Sequence, residues 1–438
     1  MTRHYVKRCV TEPGRFSIIL VALGLSSQNQ TAEASKTMTK PAETIYFNPW
    51  DEAFRADPYP HYKPLLEGPP RILSQFIPMA LVARYADVLA VLRDHEHFSS
   101  VPPRTPFLEE RIRIFGDAPR VLLSDPPVHT RLRRLVSRAF TPRRIRDLEP
   151  RIREIADRLL DKVAAKGEFE VMADLANPLP VMVIAEMLGV PPDHYERFKQ
   201  WSDGVIEVDN TPPGMKPPES VRESFNALRA YFSEEIEKRR RTPSDDLVSV
   251  LVTAREEAEA LSEEELIAFV VLLLLAGNET TTNLIGNGML ALGRNPVQLA
   301  RLKSEPALMP TAIDEMLRYD GPVQSAVRYA REDAEIAGVR IPTNTVVFVI
   351  LAAANRDPAQ FKDPEVFDIA REPNEHVAFG EGIHYCVGAP LARLEGEIAI
   401  RRVVERFPRL RMAEPQAPLT YKGSYFLRGL SSLRMAIA

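Results

Sequence analysis

The stretch LSEEELIAFVVLLLLAGNETTTNLIGNGMLAL, residues 261–292, limits the architecture more than any other segment. Acidic residues fill its first turn, as the partial positive charge at a helix N-terminus favours, and its middle is apolar on every side. A helix that is hydrophobic all round is buried, so other helices have to wrap around this one. At its centre Ala276-Gly277-Asn278-Glu279-Thr280-Thr281 interrupts the apolar run. A carboxylate and hydroxyls are expensive to bury without a use, and Gly costs about 1 kcal/mol relative to Ala in a helix interior. Threonine side chains can also bond back to the carbonyl four residues earlier and bend the helix. A local widening or kink is therefore expected here; the ordinary alternative is a polar stripe facing solvent or a packed neighbour.

Helical signals dominate elsewhere. In SDPPVHTRLRRLVSRAF, Asp125 reads as an N-cap and Pro126 as the first helical residue. Thr141-Pro142 repeats the pattern before a second helix, and PTAIDEMLRYDGP starts on proline and stops at Gly321-Pro322. Strand-like pieces are short and gather late: AEIAG, TVVFVILAAA and the terminal GLSSLRMAIA. Helices first, with a few strands segregated from them, describe a mainly α (α+β) protein: a large helical domain with a long central helix and a smaller β-rich region. No glycine-rich turn between strand and helix supports a dinucleotide fold.

With 438 residues, 45% hydrophobic and 26% charged, the composition is that of a soluble globular protein. A net charge of −4 gives no global basic field, which argues against nucleic acid as a partner. Two cysteines, Cys9 and Cys386, cannot build a disulfide framework, so a reducing compartment, the cytoplasm, is expected. Near the start, Arg3, Lys7, Arg8 and Arg15 precede the apolar run FSIILVALGL. That run is shaped like a signal peptide but is too short to span a bilayer. The reading preferred here is an upstream start codon, with Met38 opening an ordinary N-terminus. It divides the chain into an extension, 1–37, and one domain, 38–438.

The segment FGEGIHYCVG, residues 379–388, sets one thiol among three glycines. Gly380, Gly382 and Gly388 allow backbone conformations closed to other residues and close approach to a flat ligand. The following VGAPLARLEGEIAIRRVVERF reads as a helix, whose N-terminus favours thiolate at Cys386. A thiolate in a tight loop suits a soft metal or haem iron; the alternative is an inert cysteine packed as a small hydrophobe.

The spacing F-G-x-G-x-H-x-C-x-G-x-x-L-A, from Phe379 to Ala392, resembles the haem-binding signature of the cytochrome P450 family. The resemblance implies the cytochrome P450 fold, with Cys386 as axial thiolate ligand of haem b iron, Phe379 near the sulfur and Gly388 in the loop. Glu315-Met316-Leu317-Arg318, which alone would pass for a solvated helix pair, looks like the family's E-x-x-R motif, with Arg371 as third member of a structural network. Ala276 to Thr281 resembles the oxygen-binding groove, where Glu279 and Thr280 would deliver protons toward dioxygen. His129 and Arg133, at i and i+4, match the family's propionate-binding helix, and Arg328 and His384 match two further anchors for a haem's carboxylates.

By family position the substrate pocket draws on 94–120, Leu272, Leu275, Val323, Ser325, Tyr425 and Phe426, with 193–225 as a moving lid. Arg131, Arg134, Arg138, Arg143, Arg144, Arg393, Arg401 and Arg402 read either as solvated faces or as a basic docking face for an acidic electron donor. The implied activity is that of a haem-thiolate monooxygenase. It would hydroxylate or epoxidise a hydrophobic small molecule with O2 and two electrons, drawn ultimately from NAD(P)H through a ferredoxin or flavodoxin and its reductase. Rival readings are isomerisation, oxidative coupling or peroxide-driven oxidation on the same fold, and a non-catalytic haem or gas-binding module. A monomer without stable membrane insertion is expected.

Overall fold

A capping box starts the long apolar helix: the Glu265 N–H donates to Ser262 Oγ at 3.1 Å, and the Ser262 N–H donates to Glu265 Oε2 at 2.9 Å. The computed structural model describes residues 47–48, 51–73, 78–211, 216–253, 260–422 and 426–437, and Cys9, the 1–37 extension and Tyr425 lie outside them. The helix runs as Glu263–Leu273, a π-helical turn at Leu274–Asn278, and Glu279–Arg294. The expected widening thus falls on the polar interruption. A π turn inside an α-helix is rare and recurs at functional sites.

Around this axis the helices Met309–Asp320 and Ala389–Arg406 pack on its second half, and Pro142–Lys166 lies against Ala389–Arg406 and Pro178–Met187. One apolar cluster joins them all. Thr141 caps Pro142–Lys166 as expected, its hydroxyl accepting from the Arg144 N–H. The Asp125 reading fails. The helix there is Val128–Ser137, and the Asp125 carboxylate instead accepts from the Ser100 N–H at 3.0 Å, from Ser99 and from Arg331. Pro126 and Pro127 have no N–H to offer a cap.

The strands do not all come late. A five-stranded sheet runs in the order Arg71–Leu73, Met79–Val82, Val346–Val349, Ala326–Ala330, Phe98–Ser99, with only the Met79–Val82 and Val346–Val349 pair parallel. Met79–Val82 is buried at all four positions, so it carries no alternation to read. TVVFVILAAA is only half a strand: after Val349 the chain turns, and Leu351–Ala354 is helical. A three-stranded sheet joins Phe169–Glu170, Arg434–Ala436 and Arg411–Met412, and Ala334–Ile336 pairs with Val339–Ile341.

Candidate active site

The loop before Ala389–Arg406 is built on two left-handed glycines, Gly380 at φ 72° and Gly382 at φ 71°. A Cβ on Gly382 would also meet the Leu92 carbonyl oxygen at 2.6 Å. Gly382→Ala is therefore expected to cost about 1–3 kcal/mol, seen as a lower thermal midpoint; an unchanged midpoint would show the loop free to rearrange. Gly388 departs from expectation: its φ of −83° is open to any residue. A Cβ there would sit 3.8 Å from Cys386 Sγ, so its smallness leaves room beside the sulfur. The Cys386 N–H donates to the Phe379 carbonyl at 3.0 Å, closing the loop. The Phe379 ring lies between His376 and Tyr385, with the Arg393 guanidinium 4.6 Å from its centre.

Backbone N–H groups of Gly388 and Ala389, together with Arg133 and Arg393, favour the Cys386 thiolate, but burial outweighs them and pushes the thiol up. The expected pull of the helix terminus toward thiolate is present but is outweighed by burial. A bound metal cation deprotonates a coordinating thiol outright.

Behind the loop, Arg318 donates to both Glu315 oxygens at 2.7 and 2.8 Å, and Arg371 Nε reaches the same carboxylate at 3.1 Å. Glu315 also accepts from the Asp368 N–H at 2.9 Å. Arg318 continues to the carbonyls of Asn355, Pro364 and Val366. The Asn355 side chain in turn accepts from the Val377 N–H at 2.7 Å, and the Val377 carbonyl holds the Gly380 N–H at 2.9 Å. An unbroken chain of bonds therefore runs from Glu315 to the loop carrying Cys386. Asn355 escaped the sequence reading; its only signal is an amide closing the apolar run LAAA.

Four nitrogen-bearing side chains, His129, Arg133, Arg328 and His384, gather without an ion-paired carboxylate among the described residues. His129 and His384 stack at 4.3 Å between ring centres, and His384 shares a 3.0 Å bond with Ser100 Oγ. Burial, with help from Arg328 and His129, pushes His384 down to about 3, and burial and Arg133 lower His129. His129 Nε2 is buried without a partner. Arg328 is buried and donates to a carbonyl, that of Val327, at 2.9 Å. Asp125, the acid that influences His129, Arg328 and His384, is engaged by Ser99, Ser100 and Arg331. A dianion would satisfy this cluster, and a haem's two propionates are one; the donor set fits the group the signature implies.

Ala276 is exposed between half-buried Leu275 and Gly277, although Leu274, Asn278 and Glu279 are buried, so the core opens at this point. The Thr280 hydroxyl donates back to the Ala276 carbonyl, and Glu279 beside it is 3% exposed. Asn278, in the π turn, bonds Ser202 at 3.4 Å. Leu272 and Leu275 are half-buried and Ser325 is buried. Val323 bridges Leu427, and the neighbouring Gln324 N–H donates to the Phe426 carbonyl at 2.8 Å. In the expected lid region the chain forms Tyr195–Asn210 and Glu219–Arg241, and 212–215 lie outside the described residues.

Six of the eight arginines on these helices have a carboxylate neighbour. Arg131 pairs with Glu265, Arg143 with Asp147, Arg144 with Asp245, Arg393 with Asp314, Arg401 with Glu397 and Arg402 with Asp157.

The chain is similar to known proteins over most of its length. The family model described as Cytochrome P450 matches residues 70–429. Cytochrome P450 107B1 of Saccharopolyspora erythraea is 43% identical over 88% of this chain and 96% of its own length. The vitamin D(3) 25-hydroxylase of Pseudonocardia autotrophica is 41% identical over 87% of this chain and 94% of its own. The solved structure of the Bacillus subtilis bacillaene polyketide synthase cytochrome P450 PksS superposes with a TM-score of 0.82 at 37% identity, covering 90% of this chain and all of that one.

Proposed function

Because the chain belongs to the cytochrome P450 family and is a monooxygenase of that family, we propose that it hydroxylates or epoxidises a hydrophobic small molecule at a haem held by Cys386. Haem and O2 are the cofactor and co-substrate of the family. The observation that carries the reading is the Cys386 loop with the His129, Arg133, Arg328 and His384 group beside it. Bound through a thiolate, haem iron supplies O2 activation, the electron-rich sulfur favouring O–O cleavage.

The protein's contribution is holding, proton handling and exclusion of water. Arg133 and Arg328, with His129 and His384, would hold the propionates. Phe379 and Gly388 would flank the sulfur, and Ala276 would leave space for the bound group. Glu279 would bring protons inward and Thr280 Oγ1 would pass them on; its bond to the Ala276 carbonyl aims the hydroxyl until it is needed. Leu272, Leu275, Val323, Ser325, Tyr425 and Phe426 would line the substrate side. Two similar proteins, named for vitamin D(3) 25-hydroxylation and polyketide synthesis, support a hydrophobic substrate. Electrons would come from NAD(P)H through a ferredoxin or flavodoxin and its reductase, in the cytoplasm, to a single haem domain over 38–438.

The test is the spectrum of the dithionite-reduced protein under CO. A strongly red-shifted Soret band is expected; haem bound without that band would remove Cys386 as ligand. Thr280→Ala is expected to keep substrate binding but to separate NADH use from product, by roughly tenfold or more as for loss of a positioned proton donor. Unchanged coupling would take Thr280 out of the proton path. Label from O2 appearing in the product separates oxygenation from isomerisation or ring coupling.

A further inference from the structure

Arg393 stands one turn into the helix Ala389–Arg406, just after the loop that carries Cys386. Its guanidinium lies 4.6 Å from the centre of the Phe379 ring, and its Nη1 reaches the Tyr385 hydroxyl at 3.5 Å. Both neighbours belong to the Cys386 loop. Tyr385 precedes the cysteine, and the Phe379 carbonyl accepts the Cys386 N–H at 3.0 Å. Arg393 Nε donates to Asp314 Oδ1 at 2.8 Å, and His376 Nε2 lies 3.2 Å from the same oxygen. Asp314 comes from another element, the helix Met309–Asp320.

Both members of this pair are held in their charged forms. Against burial, hydrogen bonds from His376 and Arg393 lower the Asp314 pKa, and those to Tyr385 and Asp314 raise that of Arg393. Their side chains are 35% and 34% exposed, so water screens the pair without cancelling it. Arg133 and Arg393 both favour the Cys386 thiolate. Arg133 stands with His129, Arg328 and His384 in the group suited to the carboxylates, whereas Arg393 is tied to the Cys386 loop itself. A positive charge beside an electron-rich ligand favours the state holding one more electron, and a negative charge disfavours it. Charge and hydrogen bonding around the ligand are the protein's means of setting a potential.

We propose that Arg393 and Asp314 set the reduction potential of haem iron bound at Cys386, Arg393 raising it and Asp314 lowering it. The step concerned is the passage of one electron from a donor, dithionite in the test, to ferric iron, with no bond made or broken in the protein. Both are positioning residues that act through the thiolate. This rests on the haem-thiolate reading above and extends it from the ligand to the ligand's surroundings.

The experiment is a spectroelectrochemical titration of the haem-loaded wild type, Arg393→Gln, Arg393→Lys, Asp314→Asn and the double variant Arg393→Gln/Asp314→Asn. Arg393→Gln is expected to lower the ferrous-to-ferric ratio at a fixed potential roughly threefold or more, about 28 mV at 59 mV per tenfold for one electron. Asp314→Asn should raise it by a similar factor, Arg393→Lys should stay near wild type, and the double variant should fall between the two single ones. Shifts of both single variants in the same direction overturn the proposal, because a disturbed loop has no reason to follow the sign of the charge removed. Potentials unmoved in both overturn it as well. If Arg393→Gln does not retain haem, Asp314→Asn decides: a rise supports the proposal, and a fall or no change ends it. A normal reduced-CO band with unmoved potentials defeats only the role of the pair; absence of the band in the wild type defeats the haem-thiolate reading beneath it.

Discussion

Replacing Glu315 with alanine is expected to lower the unfolding free energy by about 3–5 kcal/mol, the cost of leaving buried charge unpaired. The carboxylate faces two guanidiniums, Arg318 and Arg371, whose side chains are 0% and 10% exposed. Removing it leaves two cations close together with no counterion. Arg318→Leu is the milder change on electrostatic grounds: Glu315 keeps Arg371, the Asp368 N–H and the Asn374 amide. Its penalty falls instead on the carbonyls of Asn355, Pro364 and Val366, which lose a buried donor. Urea unfolding and haem content per chain would be read on both variants, with the alanine at Glu315 expected to lose more of each. A loss under about 1 kcal/mol would mean that water enters and solvates the arginines, as at an exposed pair. Asn355 would then no longer be held from that side.

Cys386→Ser separates the fold from the chemistry. The bonds that shape the loop are backbone bonds, from Cys386 N–H to Phe379 and from Gly380 N–H to Val377, and neither involves the sulfur. The variant should therefore fold with a near-normal unfolding midpoint, lose the red-shifted reduced-CO band and fall below detection in oxygenation. Loss of the fold itself would assign Cys386 a packing role. Retention of the band would mean that another group ligates the iron, and Cys9 would be the first to examine.

The residues that could be read from sequence are those whose role is local. The apolar run with its polar interruption, the Thr141 cap and the two left-handed glycines each announce themselves within a few positions. Long-range geometry does not. Asp125 looked like a cap because its neighbours in sequence suggest one, yet its partners are Ser99, Ser100 and Arg331, the last more than two hundred residues away. The paired arginines are another case, since each carboxylate partner comes from whichever helix packs alongside. Arg393 meets Asp314, and Arg402 meets Asp157. Asn355 was invisible for the same reason: its function exists only once Val377 is laid across it.

The π turn at Leu274–Asn278 sets the phase of the central helix. An extra residue in one turn delays everything downstream by roughly 100°, one residue's rotation in an α-helix. Leu272 lies before the delay and Thr280 after it. In an unbroken α-helix eight residues would leave the two roughly 80° out of line; the delay brings them back almost onto one meridian. Forcing this turn into regular α-helix at constant length would rotate the threonine off that line, whereas deleting a single residue from it would close the bulge and leave the phase unchanged. A one-residue deletion should therefore be absorbed better in this turn than in the α-helical stretches on either side of it, where it would rotate everything downstream by about 100°.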